Sequence, residues 1–395
     1  TVILLSVLLA GCKEGKLNIA SLKVEMQENP EGLSALTPRF SWQITSKSPG
    51  LIQQSYQIQV APSEEDLKKG VNLLWDSGIV NSDESVLISY GGQPLSSRGL
   101  YFWRVQVGTN QGNSNWSQVN RWSMALLNDS EWQAKWIGED ALSNPNETDK
   151  NNTRLAARYL RKPFDAKSSK IQRGVLYIAG LGAYEAYLNG KRISDDVFAP
   201  TVSWYPNRVY YNTYDITPLL RKGSNILAVK LGNGRYFGMR ESRSLMFGLP
   251  RMLAQLEIEY SDGSREVIPS DESWKVTSRG PIVANNEFDG EEYDARLELA
   301  GWETGGYDDA SWQQAHTMAT PEGKLTAQPN PNIRVMEEIK PVGISRLADG
   351  KFILDMGQNM VGWLKINKLN GKKDQPVTMR FAEILNPDST IYLAN

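Results

Sequence analysis

The spacing of the apolar runs constrains this chain more than any other feature. The runs are short, many alternate, and a turn signal breaks them about every ten residues, which is the pattern of antiparallel sandwiches. No stretch keeps apolar residues at a sustained helical period, so long amphipathic helices are not expected. The grammar is fullest between Ala183 and Gly238. Ala183–Leu188 alternates and stops at Asn189-Gly190, a pair that accepts positive φ at both turn positions. Apolar and aromatic residues then resume, which predicts a hairpin. Thr217-Pro218 predicts a short helix, with Thr as its cap, Pro in its first position and Gly223 at its end. Ile226–Leu231 reads as a buried strand, and Gly232-Asn233-Gly234 breaks it.

Composition mainly excludes. A chain of 395 residues is expected to hold about two to four domains. Its 43 basic and 45 acidic residues leave a formal net charge of −2. There is no basic excess to neutralise phosphates, so nucleic acid is not an expected partner. One His and one Cys exclude a zinc finger, a His-rich metal site and a disulfide framework. A Ser-His-Asp triad would have to use His316, which lies in a polar, turn-like stretch and reads as a surface residue. Twelve Trp residues are expected mostly in cores, though an exposed indole can stack on a sugar.

Taken in order, residues 1–11 are apolar but too short to span a membrane, and read as the core of a signal peptide. Leu9-Ala10-Gly11-Cys12 matches the bacterial lipobox, and the only Cys of the chain falls at the lipidated position. Residues 1–12 are therefore expected to be a lipoprotein signal peptide, with Cys12 as the lipid anchor. Two acyl chains suffice for stable anchoring. The expected location is the outer membrane, facing the periplasm or the cell surface. The alternative is a buried apolar strand with a chance Cys. Without an initiator Met or a basic leader, the sequence is expected to be incomplete at its start.

Residues 20–125 read as a fibronectin-III-like sandwich with Trp42, Trp75 and Trp103 inside strands, and with spacing as its expected role. Residues 126–160 read as a connector whose Trp132 and Trp136 lie against the next sandwich, with a polar loop at Asn144–Asn152. Residues 161–330 read as a jelly roll, including a hairpin of Leu253–Tyr260 and Arg265–Ile268 around Asp262-Gly263. Residues 332–395 read as an incomplete sandwich with strands at Phe352–Asp355, Gly362–Leu369 and Pro376–Leu385. The fold class is thus all-β, as tandem β-sandwiches. The chain is expected to stop inside a hairpin, because an open sheet edge is a liability.

Several of these stretches resemble bacterial α-L-rhamnosidases of glycoside hydrolase family 78. Pro38-Arg39-Phe40-Ser41-Trp42 and Tyr101–Val105 resemble the sandwich that often opens such enzymes, and Asn115-Trp116-Ser117 is typical before its last strand. Gly290-Glu291, Tyr293-Asp294-Ala295-Arg296, Gly301-Trp302 and Asp308-Asp309 with Trp312 match the family signature along one stretch. Asp355-Met356-Gly357-Gln358-Asn359, Gly362-Trp363 and Arg380-Phe381-Ala382-Glu383 resemble its concanavalin-like sandwich, with Met356 in place of the usual Phe.

The resemblance implies an inverting hydrolase that removes terminal α-L-rhamnose from plant glycosides or polysaccharides. Its carboxylates would lie in a helical barrel beyond these modules, so no catalytic residue is assigned here and this piece alone is expected to be inactive. Glu291, Glu292 and Asp294 read as a charged loop in which Asp294 and Arg296 pin neighbouring strands. The resemblance further implies a rhamnose-containing oligosaccharide or glycoside as partner, with Asn189, Trp204 and Asn233 at the binding positions. Some relatives bind rhamnose through calcium, held by an acid next to the hairpin Asn. Here Leu188 occupies that place, so no metal ligand or cofactor is assigned, calcium is left open, and weak or no binding by residues 161–330 alone is expected. The competing reading is a non-catalytic carbohydrate-binding or adhesin lipoprotein.

Overall fold

The computed structural model describes residues 17–47, 49–139, 154–238, 247–347, 349–368, 370–372, 374–388 and 390–392. Cys12, the apolar leader and the loop Asn144–Asn152 lie outside the described residues. The chain is all-β, built of sandwiches in tandem. It divides into a compact unit up to Arg334 and a second from Val335 onward.

The first module has two antiparallel sheets. Asn18–Val24, Arg39–Thr45 and the two-residue strand Ile88–Ser89 form one. The other centres on Gln53–Ala61 paired with Leu100–Thr109, which also pairs with Asn120–Ser123. Strict alternation in Leu100–Thr109 turns Tyr101, Trp103, Val105 and Val107 inward. They meet Phe40, Trp42 and Trp122, with the Phe40 and Trp103 rings 4.6 Å apart. The buried Trp42 indole donates to Gln53 Oε1 at 3.1 Å, which satisfies its one polar atom.

The second module packs a six-stranded sheet on a seven-stranded one. In the six-stranded sheet, Gly223–Gly232 lies between Ala183–Leu188 and Arg158–Ala166. In the other, Ile171–Leu181 lies between Arg251–Tyr260 and Arg208–Asp215. The apolar run of Gly223–Gly232 is buried on both faces, because Leu227 and Val229 enter the inter-sheet core while Ile226 and Ala228 sit under a cap carrying Trp302 and Trp312. Within the stretch read as a connector, Ile137–Gly138 pairs with Arg251–Tyr260, and Arg158 begins a strand. Trp136 is buried beside Tyr177, and Trp132 meets the Tyr211 ring edge-on at 5.1 Å.

Two local expectations differ from the structure. Thr217–Leu219 is a single 3-10 turn rather than a capped helix. The Thr217 hydroxyl donates to Asp215 Oδ1 at 2.6 Å and accepts the Gly174 N–H, so it is not available as a cap. Gly223, at φ 74, opens a strand. In the second unit Gly343–Arg346 pairs with Phe352–Asp355, but the described parts of 362–369 and 376–385 form no ladder. Alternation marks those segments as sheet-compatible, yet a strand exists only where a neighbour accepts its backbone bonds. Phe352, Val361, Trp363 and Phe381 are exposed.

Candidate functional site

Of the three candidate sugar-binding residues, Asn189 and Asn233 do not converge. Asn189 and Asn233 stand at opposite ends of the strand Gly223–Gly232, since Leu188 pairs with Leu227 and Ala183 with Gly232. That separation is roughly 20 Å at strand rise. Asn189 has φ 54 and closes the predicted hairpin with Gly190 at φ 81. Its side chain is fully engaged: Nδ2 donates to Leu219 O at 3.1 Å and Asn225 Oδ1 at 2.9 Å, while Oδ1 accepts the Ile226 N–H at 3.0 Å. Asn233 is wholly buried. Its Nδ2 donates to Leu155 O at 2.9 Å and its backbone N–H to Asn285 Oδ1 at 2.8 Å, although its own Oδ1 has no partner. Both side chains tie strands and turns of the scaffold together.

Trp204 is different. It is 60% exposed, on a turn held by Asn207 and Arg208 N–H groups donating to its carbonyl at 2.9 and 3.0 Å. Its ring abuts Phe247 at 5.7 Å, perpendicular. Phe247 in turn packs on Tyr205 and Tyr236, at 5.2 and 5.9 Å. The result is a fixed indole on an aromatic base, beside the Asn233–Gly238 turn. The Arg235 guanidinium there makes a bidentate pair with Glu287 at 2.6 and 2.7 Å. An exposed, immobilised ring can stack on the apolar face of a sugar.

Chemistry beyond binding finds little support at this surface. Glu287 is paired with Arg235, and Glu292 with Arg154 at 2.5 Å. Asp294 is held down to about 2 by hydrogen bonds from the Arg296 side chain and backbone N–H. That pairing closes a local turn, because Asp294 caps Ala295–Leu297; it does not pin neighbouring strands as expected. A general acid needs a raised pKa, the opposite of Asp294. Nor does the hairpin suit calcium. Asn189 Oδ1 is taken by a backbone N–H, and Leu188 supplies no side-chain oxygen. His316 sits exposed on the two-residue edge strand His316–Thr317. A small recess of about 10 Å³ beside Tyr184, Asp196 and Tyr214 has room for one water at most.

The modules match known proteins in sequence order. Residues 19–128 match a Rha78A-like N-terminal immunoglobulin domain, residues 169–337 the α-L-rhamnosidase N-terminal domain, and residues 345–395 the bacterial α-L-rhamnosidase concanavalin-like domain. An α-L-rhamnosidase of Formosa agariphila is 34% identical over 98% of this chain and 43% of its own length. The structure of the α-L-rhamnosidase from Dictyoglumus thermophilum superposes with a TM-score of 0.77 at 35% identity, over 96% of this chain and 43% of that one. The Streptomyces avermitilis α-L-rhamnosidase, solved with L-rhamnose, gives 0.79 at 28% identity, over 95% and 52%. The chain thus spans about half the length of these relatives, or less.

Proposed function

We propose, from the premise that this chain belongs to the α-L-rhamnosidase family and carries its N-terminal modules, that it serves a hydrolase of terminal α-L-rhamnose as its accessory part. The observation that carries this reading is the unbroken order of three family modules, at 19–128, 169–337 and 345–395. The substrates are rhamnose-containing plant glycosides or polysaccharides. Cleavage proceeds with inversion, between two carboxylates roughly 6.5–9.5 Å apart that admit a water. Those carboxylates belong to a helical barrel beyond these modules. The second module contributes Trp204 as a stacking face, which holds rhamnose weakly by itself. Cys12 anchors the protein to the outer membrane through its acyl chains, facing the periplasm or the cell surface.

The decisive experiment compares two purified proteins on a chromogenic α-L-rhamnoside: residues 13–395, and a form extended to the relatives' full length. Turnover is expected only from the longer form, with the β-anomer as first product by NMR. Hydrolysis by 13–395, or none by either, sinks the reading. For the anchor, Cys12→Ala expressed with its leader is expected in the soluble fraction; membrane retention would refute it.

A further inference from the structure

The first module contains a groove that its expected role as a spacer does not explain. It measures about 510 Å³ and runs between residues 17–21, at the free edge of one sheet, and residues 114–118, beside the other. That volume falls in the range of small-ligand sites, about 300–1,000 Å³. Every residue lining it is uncharged.

Trp116 is the only aromatic side chain in the groove, and it is held in place. The Arg104 guanidinium lies 4.3 Å from its ring centroid, covering one face. Arg104 is fixed in turn by Gln59 Oε1, which accepts from its Nε and Nη2 at 3.0 and 2.7 Å. The segment carrying Trp116 is clamped on both sides. Ser114 and Ser117 each donate a backbone N–H, to Val107 O and Val105 O at 2.8 Å, and their hydroxyls accept the N–H groups of those same two valines. The indole therefore presents its second face with little ordering left to do on binding. Around it stand the side chains of Asn18, Ser21, Asn115 and Gln118, and no hydrogen bond engages any of them among the described residues.

A fixed ring face ringed by free amides and a hydroxyl, without charge, matches a pyranose: one apolar face and a rim of neutral hydroxyls. An extended peptide fits less well. The ladder of Asn18–Val24 breaks register between Ala20 and Lys23, with Ser21 at φ 49, and such a bulge disrupts edge-to-edge strand addition. We propose that this groove is a binding site for a neutral saccharide, separate from the Trp204 surface and independent of the reading that rests on it.

The test titrates residues 13–395 by calorimetry with a neutral rhamnosyl-glucose disaccharide, and separately with a charged galacturonate oligomer of similar size. Trp116→Ala should weaken disaccharide binding about tenfold or more, the worth of one stacked ring plus its burial. Gln118→Ala removes only a rim amide; it should weaken binding severalfold with the melting temperature unchanged, so it decides the matter if Trp116→Ala misfolds. Trp204→Ala should leave this affinity in place, and the galacturonate should not compete. The proposal is overturned if the unaltered protein binds no disaccharide at millimolar concentration, or if Trp116→Ala and Gln118→Ala both bind as tightly as it does. It is overturned equally if Trp204→Ala alone abolishes binding, a result that would leave the second-module reading standing.

Discussion

Asp196 is the residue on which the polar interior of the second module converges. Tyr214 Oη and Asn332 Nδ2 donate to its Oδ2 at 2.9 and 2.8 Å, and Arg334 Nε donates to its Oδ1 at 2.8 Å. Burial pushes its carboxyl up, but the hydrogen bonds from Arg334, Ser194, Tyr214 and Asn332 together outweigh burial and hold it below the usual 3.8. A carboxyl depressed in the folded state binds protons more readily when unfolded. Its contribution is complete above the unfolded value and is lost as pH falls through the folded one. Stability is therefore expected to decline below about pH 4. Asp196→Asn removes the buried partner of Arg334 but leaves the exposed Asp195, 3.1 Å from Arg334 Nε, and should cost about 1–2 kcal/mol at pH 7, less than a fully buried pair because Arg334 is half-exposed. Urea midpoints at pH 7 and pH 3.5 check this: the variant should lose less than the unaltered protein between the two. Equal losses would show that Asp196 does not carry the acid sensitivity.

At the scale of elements, the hairpin at Asn189-Gly190 separates what a local pattern can reveal from what it cannot. Positive φ at two successive positions is a demand of the turn itself, and Asn-Gly answers it in the sequence. The bonds from Asn189 to Leu219, Asn225 and Ile226 reach thirty residues and more along the chain, and no local pattern encodes them. Asn189→Gly keeps the backbone and loses those ties, costing about 1–2 kcal/mol. Asn189→Ala should cost about 1 kcal/mol more, from a Cβ forced into the left-handed region. Guanidinium midpoints that rank the two variants the other way would remove this account.

The same boundary explains the other outcomes. Ile226–Leu231 was legible as a buried strand because its composition alone says so, and burial on both faces agrees. Thr217 looked like a cap, but Asp215 and Gly174 engage its hydroxyl. Asn233 stands at a binding position only by the family resemblance, and the carbonyl of Leu155, far away in sequence, takes its amide. The exposure of Trp204 has no periodic signal around it. Trp116 was visible as part of a module signature, but not as one wall of a groove whose other wall lies at residues 17–21.

At the scale of the molecule, the first two modules belong to one compact unit, and Arg98 is one of the residues that join them. Its Nε and Nη2 grip the buried Glu257 of the second module at 2.6 and 2.9 Å, while Nη1 reaches Glu131 in the stretch between them. Arg98 O accepts from Arg173 Nη1 at 2.8 Å, so backbone and side chain both cross the boundary. Gln255 extends the joint, accepting the Gln133 N–H at 2.7 Å and donating to Glu131 O at 3.0 Å. Packing tightens it further: a Cβ on Gly32 would stand 2.1 Å from Thr213 Oγ1. A spacer built this way transmits orientation, so the Trp204 surface keeps a set direction relative to the first module instead of swinging on a leash. The consequence for unfolding is cooperative: modules that share a desolvated ion network should melt together. Calorimetry of residues 13–395 should show one transition covering both. Arg98→Ala removes the bidentate cation from Glu257, which is 4% exposed and keeps Gln255 and a 3.8 Å contact to Arg265, and should cost about 2–3 kcal/mol of coupling. That loss should split the transition, with the first module melting earlier. Arg98→Lys keeps the charge but not the bidentate grip, and should fall between. If Arg98→Ala still melts in a single transition at the original temperature, the rigidity comes from apolar packing, and the ion network is incidental to it.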